Sequence, residues 1–274
     1  MNRNVVVSAL MLMLSVHSAV AQKTITGFSE VSITEGDSKL IDGVERTQPD
    51  IYYVPLSDGT YRAMRLTVKP GEPARMTVPY IYMTTSHSVC VSWKSSADDA
   101  GSVVRYGSDE SNLNASVVSD SKRIAGTYYW NSALIDNLEP DAVYYYRVEG
   151  KGGTSATYRF RTMPLPGSMD KIRVLLIGDH QRNERSDYEW MLNAARKTVA
   201  EKYGDAPFED NIHFIMNVGD QVDAGRSDLY ESVHLFKSRS VSPSLPTMTA
   251  VGNHEYREDS ELSRYKGHYR YDTL

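Results

Sequence analysis

Three short polar motifs in the C-terminal third of the chain each follow directly on an apolar run, and this repetition restricts the possible folds more than any other feature. Nearly continuous apolar runs, without alternation, are typical of strands buried in a parallel sheet. The runs are residues 174–177, 214–218 and 248–251, and the motifs after them are residues 178–181, 219–223 and 252–255. Because ligands collect at the carboxyl ends of parallel strands, we expect the three motifs to share one site.

The chemistry of these motifs indicates a metal. A desolvated carboxylate is unfavourable unless a cation or several hydrogen bonds compensate it, so Asp179 and Asp220 converging with Asn253 predict oxygen ligands around metal. His254 beside them suggests acid chemistry. Each Gly-Asp turn alone is also compatible with a helix cap after a strand, since Asp is favoured at such caps.

The segments between the apolar runs predict helices. Apolar residues recur at helical spacing between the first two runs, and residues 229–238 are suited to a second, shorter crossover. The first set is Tyr188, Met191, Leu192, Ala195 and Val199. Strands joined by helices predict a parallel sheet.

The preceding part of the chain has the period-two pattern of short strands. Residues 138–148 place Tyr144 in a turn-to-strand arrangement typical of a tyrosine corner, and Trp93, at the end of the predicted strand 88–93, is the candidate core tryptophan. This resembles a fibronectin type III domain, which we place at residues 79–163. The Pro- and Gly-rich residues 164–171 form a predicted linker, and residues 22–78 form a β-rich segment with a hairpin around Gly59.

The N-terminus is typical of an export signal. A short positive region, an apolar stretch at residues 5–16 and the sequence Ala19-Val20-Ala21 predict cleavage after Ala21, so residues 1–21 are a predicted signal peptide. The apolar stretch is too short for a membrane span, and we expect a periplasmic or secreted protein. A net charge of -5 without a basic cluster predicts no nucleic-acid partner. Cys90 is the single cysteine, which excludes an internal disulfide and suits a small buried hydrophobe.

Asp179, then Gly219-Asp220, then Gly252-Asn253-His254-Glu255, in this order, resemble the calcineurin-like metallophosphoesterase superfamily. The fibronectin-like domain upstream narrows the resemblance to the purple acid phosphatases. The fold it implies is a multi-domain one, an all-β fibronectin type III-like sandwich followed by the first part of an α/β metallophosphoesterase sandwich at residues 172–274.

The resemblance also implies roles for the site residues. Asp179 would bind the first of two metal ions, Asp220 would bridge both, and Asn253 would bind the second through its amide oxygen. His254 would act on the phosphoryl group of a small phosphoester, and Glu255 would orient the loop that carries His254. Asp223, Arg182 and Arg257 are further expected to contact the metal ligands or the substrate.

Two positions depart from the family pattern. Where many relatives have Asp-x-His, this chain has Asp179-His180-Gln181, and because successive strand residues point to opposite faces, Gln181 rather than His180 is placed with Asp179 as a candidate ligand. Asp223 stands where the purple enzymes have the tyrosine that gives ferric colour. We therefore expect no iron-tyrosinate centre. The site would hold two divalent or mixed-valence metal ions, and their identity is open among Fe, Mn, Zn and Mg.

The resemblance implies further histidine ligands beyond Glu255, which this chain lacks. The sequence is therefore interpreted as the front part of an enzyme. It could be a fragment, a truncated gene product or one of two partner chains. We expect one face of its parallel sheet to be uncovered and the activity of the chain alone to be low. The expected function is an exported, acid phosphatase-like phosphoester hydrolase, with mono- and diesters both open. The alternative is a secreted β-sandwich binding or adhesion protein with a vestigial phosphatase half.

Overall fold

The computed structural model describes residues 24–69, 76–95, 101–125, 128–169, 171–181 and 187–271. The predicted signal peptide and Arg182 therefore lie outside the described residues. The strands are β1 to β17, at Ile25–Thr34, Lys39–Ile41, Val44–Arg46, Asp50–Pro55, Tyr61–Lys69, Tyr80–Tyr82, Val89–Ser95, Val103–Gly107, Ala115–Val118, Asp120–Ala125, Tyr128–Ile135, Val143–Gly150, Gly153–Thr154, Tyr158–Arg161, Val174–Ile177, Phe214–Asn217 and Thr247–Thr249. The helices are α1 to α5, at Asp187–Tyr203, Phe208–Asn211, Ser227–Leu229, Phe236–Ser238 and Ser263–His268, and a π-helix spans Tyr230–Leu235.

The N-terminal strands form a small β-unit. Strands β4 and β5 pair as the predicted antiparallel hairpin, with Gly59 at φ 80° in its turn, and β1 adds to β5 in parallel. This unit is fastened to the C-terminal half of the chain, because the Nδ2 of Asn193 on α1 donates to the Pro49 carbonyl at 2.8 Å. On the same side the Nζ of Lys237 donates to the Val68 carbonyl at 2.8 Å.

A β-sandwich follows, as the period-two pattern predicts. One sheet has the order β10-β11-β7-β6, and the other has the order β13-β12-β8-β9 with β14 on β12. Trp93, Tyr146 and Phe160 are fully buried between the two sheets. The predicted tyrosine corner is confirmed, because the backbone N–H of Glu139 donates to the Tyr144 hydroxyl at 2.9 Å.

The sandwich packs against the C-terminal half through aromatic side chains. Tyr80 and Trp130 of the sandwich lie in one buried cluster with Tyr230 and Tyr269. The rings of Trp130 and His268 are 4.0 Å apart, and the Tyr80 hydroxyl donates to the His268 carbonyl at 2.6 Å. Aromatic packing and buried hydrogen bonds therefore hold the sandwich against the C-terminal half.

The C-terminal half is built on the predicted parallel sheet. Its strand order is β15-β16-β17, and helix α1 connects β15 to β16. The periodicity of α1 is confirmed, since Tyr188, Leu192, Ala195 and Val199 are buried against Leu175, Ile177 and Ile215 of the sheet. The second crossover, predicted at 229–238, is helical, but its middle is the π-helix rather than an α-helix.

The opposite face of the parallel sheet is the expected uncovered one. Leu176, Met216 and Val218 are exposed, and Leu176 lies beside Met216 in the register of β15 and β16. Across the described ranges, no helix combines the length and apolar character needed to cross a bilayer.

Candidate active site

Two of the three motif loops begin with a left-handed turn. Asp179 has φ 56° and Asp220 has φ 52°, conformations that non-glycine residues adopt rarely and that Asp tolerates better than most. Gly219 has φ 109°, and a Cβ atom there would lie 2.6 Å from the backbone nitrogen of Gly252. Glycine is therefore required at position 219 for both conformation and space, and the turn delivers Asp220 against the third loop.

The first and second loops are joined through the backbone. The N–H of Val218 donates to the Ile177 carbonyl at 2.8 Å, and the N–H of Asp179 donates to the Gly219 carbonyl at 3.3 Å. These bonds continue the ladder between β15 and β16 past the ends of the strands. As a result Asp179 and Asp220 emerge side by side from adjoining strand ends.

Glu255 joins the second loop to the third. Its fully buried carboxylate accepts backbone N–H bonds from Asp220 at 3.0 Å, from Gln221 at 2.6 Å and from Gly252 at 2.5 Å. A buried carboxylate is unfavourable unless hydrogen-bonded, and these three donors supply its compensation. Glu255 thus joins the Asp220 turn to Gly252 of the third loop.

Asp220 lies at the point where the second and third loops touch. A Cβ atom on Gly252 would lie 2.1 Å from Asp220 Oδ1, so the carboxylate rests directly on that glycine. The same Oδ1 accepts the backbone N–H of His254 at 3.1 Å, while Oδ2 is 3.8 Å from the His254 Nε2. One oxygen of Asp220 is therefore engaged by the protein, and the other faces the imidazole.

The imidazole of His254 is held in one tautomer by Asp223. Its Nδ1 is 3.0 Å from the Asp223 carbonyl and 3.0 Å from the Asp223 Oδ1. Because both oxygens only accept hydrogen bonds, the proton lies on Nδ1, and Nε2 is turned toward Asp220. Arg257 Nη1 is 3.2 Å from Asp223 Oδ1, which places Arg257 one contact away from His254.

Residues 180 and 181 both follow the end of β15. His180 is 2 % exposed, and burial lowers its pKa to about 3, so the ring is neutral. The Gln181 side chain has a buried Oε1 that meets no hydrogen-bond donor within the described part of the chain. An unpaired amide oxygen at the strand end beside Asp179 suits a cation ligand.

The remaining candidates are less enclosed. Asp179 and Asn253 are exposed, and in the described ranges no cluster of three or more His, Cys, Asp or Glu side chains is placed to hold a metal ion. The donors brought to this edge are the carboxylates of Asp179 and Asp220 and the amides of Gln181 and Asn253. All are oxygen donors, so the set fits hard cations such as Mg²⁺ or Mn²⁺.

Two family models cover most of the chain. Residues 77–162 match the purple acid phosphatase N-terminal domain, and residues 172–274, which carry all three loops, match calcineurin-like phosphoesterase. Residues 172–274 therefore carry a calcineurin-like phosphoesterase domain. It is therefore a member of a phosphoester-cleaving hydrolase family, and the β-sandwich followed by a metallophosphoesterase domain is the arrangement of its purple acid phosphatase-like members.

Individual relatives agree with this assignment. A phosphoenolpyruvate phosphatase from Allium cepa is 31% identical over 183 residues, which are 63% of this chain and 35% of the onion protein. A purple acid phosphatase from yellow lupin (Lupinus luteus) seeds superposes with a TM-score of 0.54 at 19% identity, over 72% of this chain and 39% of that chain. The chain thus spans little more than a third of the length of these relatives.

The phosphoesterase domain also contains site-supporting residues that sequence reasoning missed. Asn217, fully buried, has its Nδ2 2.7 Å from His180 Nε2 and its Oδ1 3.1 Å from the Gly219 N–H. Gln221, also fully buried, donates from Nε2 to the Ala250 carbonyl at 3.0 Å. In the sequence, Asn217 lies inside an apolar run and Gln221 lies shortly after it. Such polar residues were the available sign of a supporting role, although a strand pattern alone treats them as interruptions.

Proposed function

We propose that this protein is an exported, metal-dependent phosphomonoesterase whose site lies at the carboxyl ends of β15, β16 and β17. The observation that carries the proposal is the position of Asp220. Its carboxylate rests on Gly252 and accepts the His254 N–H, and its backbone N–H donates to the buried Glu255 carboxylate. A carboxylate held this way by two loops beside an imidazole suits metal-assisted hydrolysis better than a helix cap.

Two metal ions are proposed, in keeping with the binuclear centres general in this family. Asp179, with Gln181, would hold the first, Asn253 would hold the second, and Asp220 would hold both. When bound, such a pair supplies Lewis acidity for phosphate oxygens and a hydroxide near neutral pH. Asp220 Oδ2 is the protein oxygen left for this task, since Oδ1 already accepts the His254 N–H.

His254 is proposed to act on the substrate. With Nδ1–H directed at Asp223, its Nε2 can carry a second proton toward the phosphoryl group or the leaving oxygen. Arg257, paired with Asp223, is proposed as a phosphate contact at the rim of the site, where its exposed guanidinium could form a fork to two oxygens.

The substrate class proposed is a small phosphomonoester. It rests on the family and on the onion relative, whose name describes cleavage of one phosphate from phosphoenolpyruvate. Export is proposed from the predicted signal peptide at residues 1–21. The metals are proposed to be hard divalent ions, because Asp223 stands where a ferric site needs tyrosine.

The proposal is tested by the turnover of para-nitrophenyl phosphate and bis-para-nitrophenyl phosphate by the purified full-length protein. Asp220→Asn should remove turnover of the monoester, since the amide cannot hold two cations. Asp228→Asn changes an exposed acid whose carboxylate pairs with Arg226, and it should leave turnover unchanged. Wild-type turnover that survives in Asp220→Asn, or hydrolysis restricted to the diester, would contradict the proposal.

A further inference from the structure

A buried polar bridge lies beneath the two aspartates of the site. Asn217, the last residue of β16, connects His180 of the first loop to Gly219 of the second through its side-chain amide. The whole bridge is enclosed, because Asn217 is 0 % and His180 is 2 % exposed, and Gly219 is also buried. The bridge is therefore shielded from solvent and joins the first two loops from below.

The direction of every hydrogen bond in the bridge is determined by one backbone donor. The Gly219 N–H can only donate, so the Asn217 atom that it meets at 3.1 Å is the carbonyl oxygen. The Asn217 amide nitrogen must then face His180 Nε2 at 2.7 Å, and Nε2 must accept. His180 consequently carries its proton on Nδ1, which has no hydrogen-bond partner within the described residues.

The ring of His180 is itself fixed from two sides. It stacks on Tyr188 of α1 at 3.8 Å and 13°, and lies parallel to His234 of the π-helix at 5.2 Å and 14°. His234 Nε2 in turn lies 2.5 Å from the Tyr269 hydroxyl. The π-helix thus carries the imidazole that lies against His180, and π-helical turns occur frequently at functional sites.

An apolar side chain would pack at position 180 without leaving an unpaired N–H, so simple core packing does not account for the histidine. The loops above it do need restraint, because Asp179 and Asp220 both have left-handed backbones, which persist only where the surroundings fix them. We propose that Asn217 is a positioning residue, which through His180 and Gly219 sets the separation of Asp179 and Asp220. This inference rests on the proposed function and attributes the spacing of the Asp179 and Asp220 carboxylates to Asn217.

The bridge can be tested directly from the tautomer of His180, without bound metal and without an activity measurement. In the metal-free wild-type protein labelled with ¹⁵N and ¹³C on histidine, the His180 ring, assigned by its loss in His180→Gln, should show the Nδ1–H tautomer. In Asn217→Asp the carboxylate can still accept the Gly219 N–H but cannot donate to Nε2, so the ring should change to carry a proton on Nε2. A wild-type Nε2–H tautomer would overturn the bridge as described.

The positioning role is tested with Asn217→Leu, which removes both bonds at similar volume. Outer-shell changes of this kind lower metal affinity about 10-fold to 100-fold, and we expect that loss for Mn²⁺ together with a lower kcat at nearly unchanged KM. Asn217→Asp, which preserves the bridge, should recover most of the affinity. Asn193→Leu removes a side-chain bond to the Pro49 carbonyl on the outer side of α1 and should match wild type.

The outcomes separate the inference from the function beneath it. Folded Asn217→Leu with wild-type Mn²⁺ affinity and kcat, or Asn217→Asp as impaired as Asn217→Leu, would overturn the positioning role. If Asp220→Asn also binds Mn²⁺ and turns over substrate normally, the proposed function fails as well. If Asp220→Asn is inactive while Asn217→Leu is normal, only the positioning role fails.

Discussion

Glu255 holds the backbone of Asp220 in place from the third loop, its buried carboxylate accepting the Asp220 N–H at 3.0 Å. The same carboxylate accepts the N–H groups of Gln221 and Gly252. The second and third motifs are therefore one hydrogen-bonded unit, although 34 residues separate Gln221 from Glu255. Glu255 takes no part in the proposed chemistry, but its hydrogen bonds hold Asp220 and His254 close together.

Glu255→Gln should weaken this unit. The amide offers one accepting oxygen for three N–H donors and brings its own N–H groups toward them, so about 1 to 3 kcal/mol of the free energy of unfolding should be lost. Urea unfolding measures this loss, and metal analysis should show reduced occupancy. Glu261→Gln changes an exposed carboxylate a few residues later in the chain and serves as the control. Equal stability of Glu255→Gln and wild type would contradict the role of the buried carboxylate.

Gly252→Ala should disrupt the site by steric overlap. The new methyl group would lie 2.1 Å from Asp220 Oδ1, so the carboxylate or the third loop must move. We expect a destabilisation of about 1 to 3 kcal/mol, as for other overpacked positions, and loss of most phosphatase activity. Gly27→Ala is the matched control, because the nearest atom to its Cβ, on the Arg62 side chain, lies at 3.7 Å. Activity of Gly252→Ala near the wild-type level would show that Asp220 does not need its present position.

His254→Ala should separate binding from chemistry. Removal of a positioned acid lowers turnover by about 10² to 10⁴-fold, and the metal content should stay unchanged because His254 is not a proposed ligand. Steady-state kinetics with a paired metal analysis checks both parts. His87→Ala in the sandwich, whose Nδ1 lies against the Leu138 carbonyl, provides the control. Loss of metal in His254→Ala would instead make this histidine a ligand.

The buried histidine at the domain interface predicts acid lability. Burial lowers the pKa of His268 to about 3, below the ordinary value of 6.5 that applies in the unfolded chain. The unfolded chain therefore takes up the proton first, and stability that is complete above pH 6.5 is lost progressively as the pH falls toward 3. At pH 5 this amounts to about 2 kcal/mol for one histidine.

The measurement is urea unfolding at pH 7 and at pH 5, for wild type and His268→Phe. The phenylalanine cannot titrate, so its stability should fall less over this interval, even if it is lower at pH 7 because the bond to the Arg264 carbonyl is gone. His234 has its pKa lowered well below the usual range, also by burial, and should contribute in the same direction. Identical pH dependence in wild type and His268→Phe would refute the linkage.

The position of Asp223 predicts a colourless enzyme. Its side chain lies against His254 Nδ1 and Arg257, so the position contributes a carboxylate where a ferric centre needs a tyrosinate. The absorption spectrum of the purified holoprotein should show no charge-transfer band in the visible region. A visible band that disappears on reduction of iron would contradict this prediction.

The sequence predicted those features that depend on local pattern. The apolar runs before Asp179, Asp220 and Asn253 became the parallel strands β15, β16 and β17, and Tyr144 formed its corner, because burial and turn chemistry act within a few residues. Tertiary contacts set the rest. The bridge through Asn217 depends on a ring 37 residues away, and the π-helix at 230–235 has a spacing of apolar residues that also fits an α-helix.

The most direct test of a metal-dependent site built on Asp220 is to measure how turnover depends on added metal. The purified full-length protein is stripped of metal with a chelator, its metal content is determined, and para-nitrophenyl phosphate turnover is followed as Mn²⁺, Mg²⁺, Zn²⁺ or Fe²⁺ is added back, in wild type and in Asp220→Asn. We predict no turnover in the stripped protein, recovery in wild type as the content approaches two ions per chain, and no recovery in Asp220→Asn. Full turnover of the stripped wild-type protein, or equal recovery in Asp220→Asn, would contradict a metal-dependent phosphoesterase site built on Asp220.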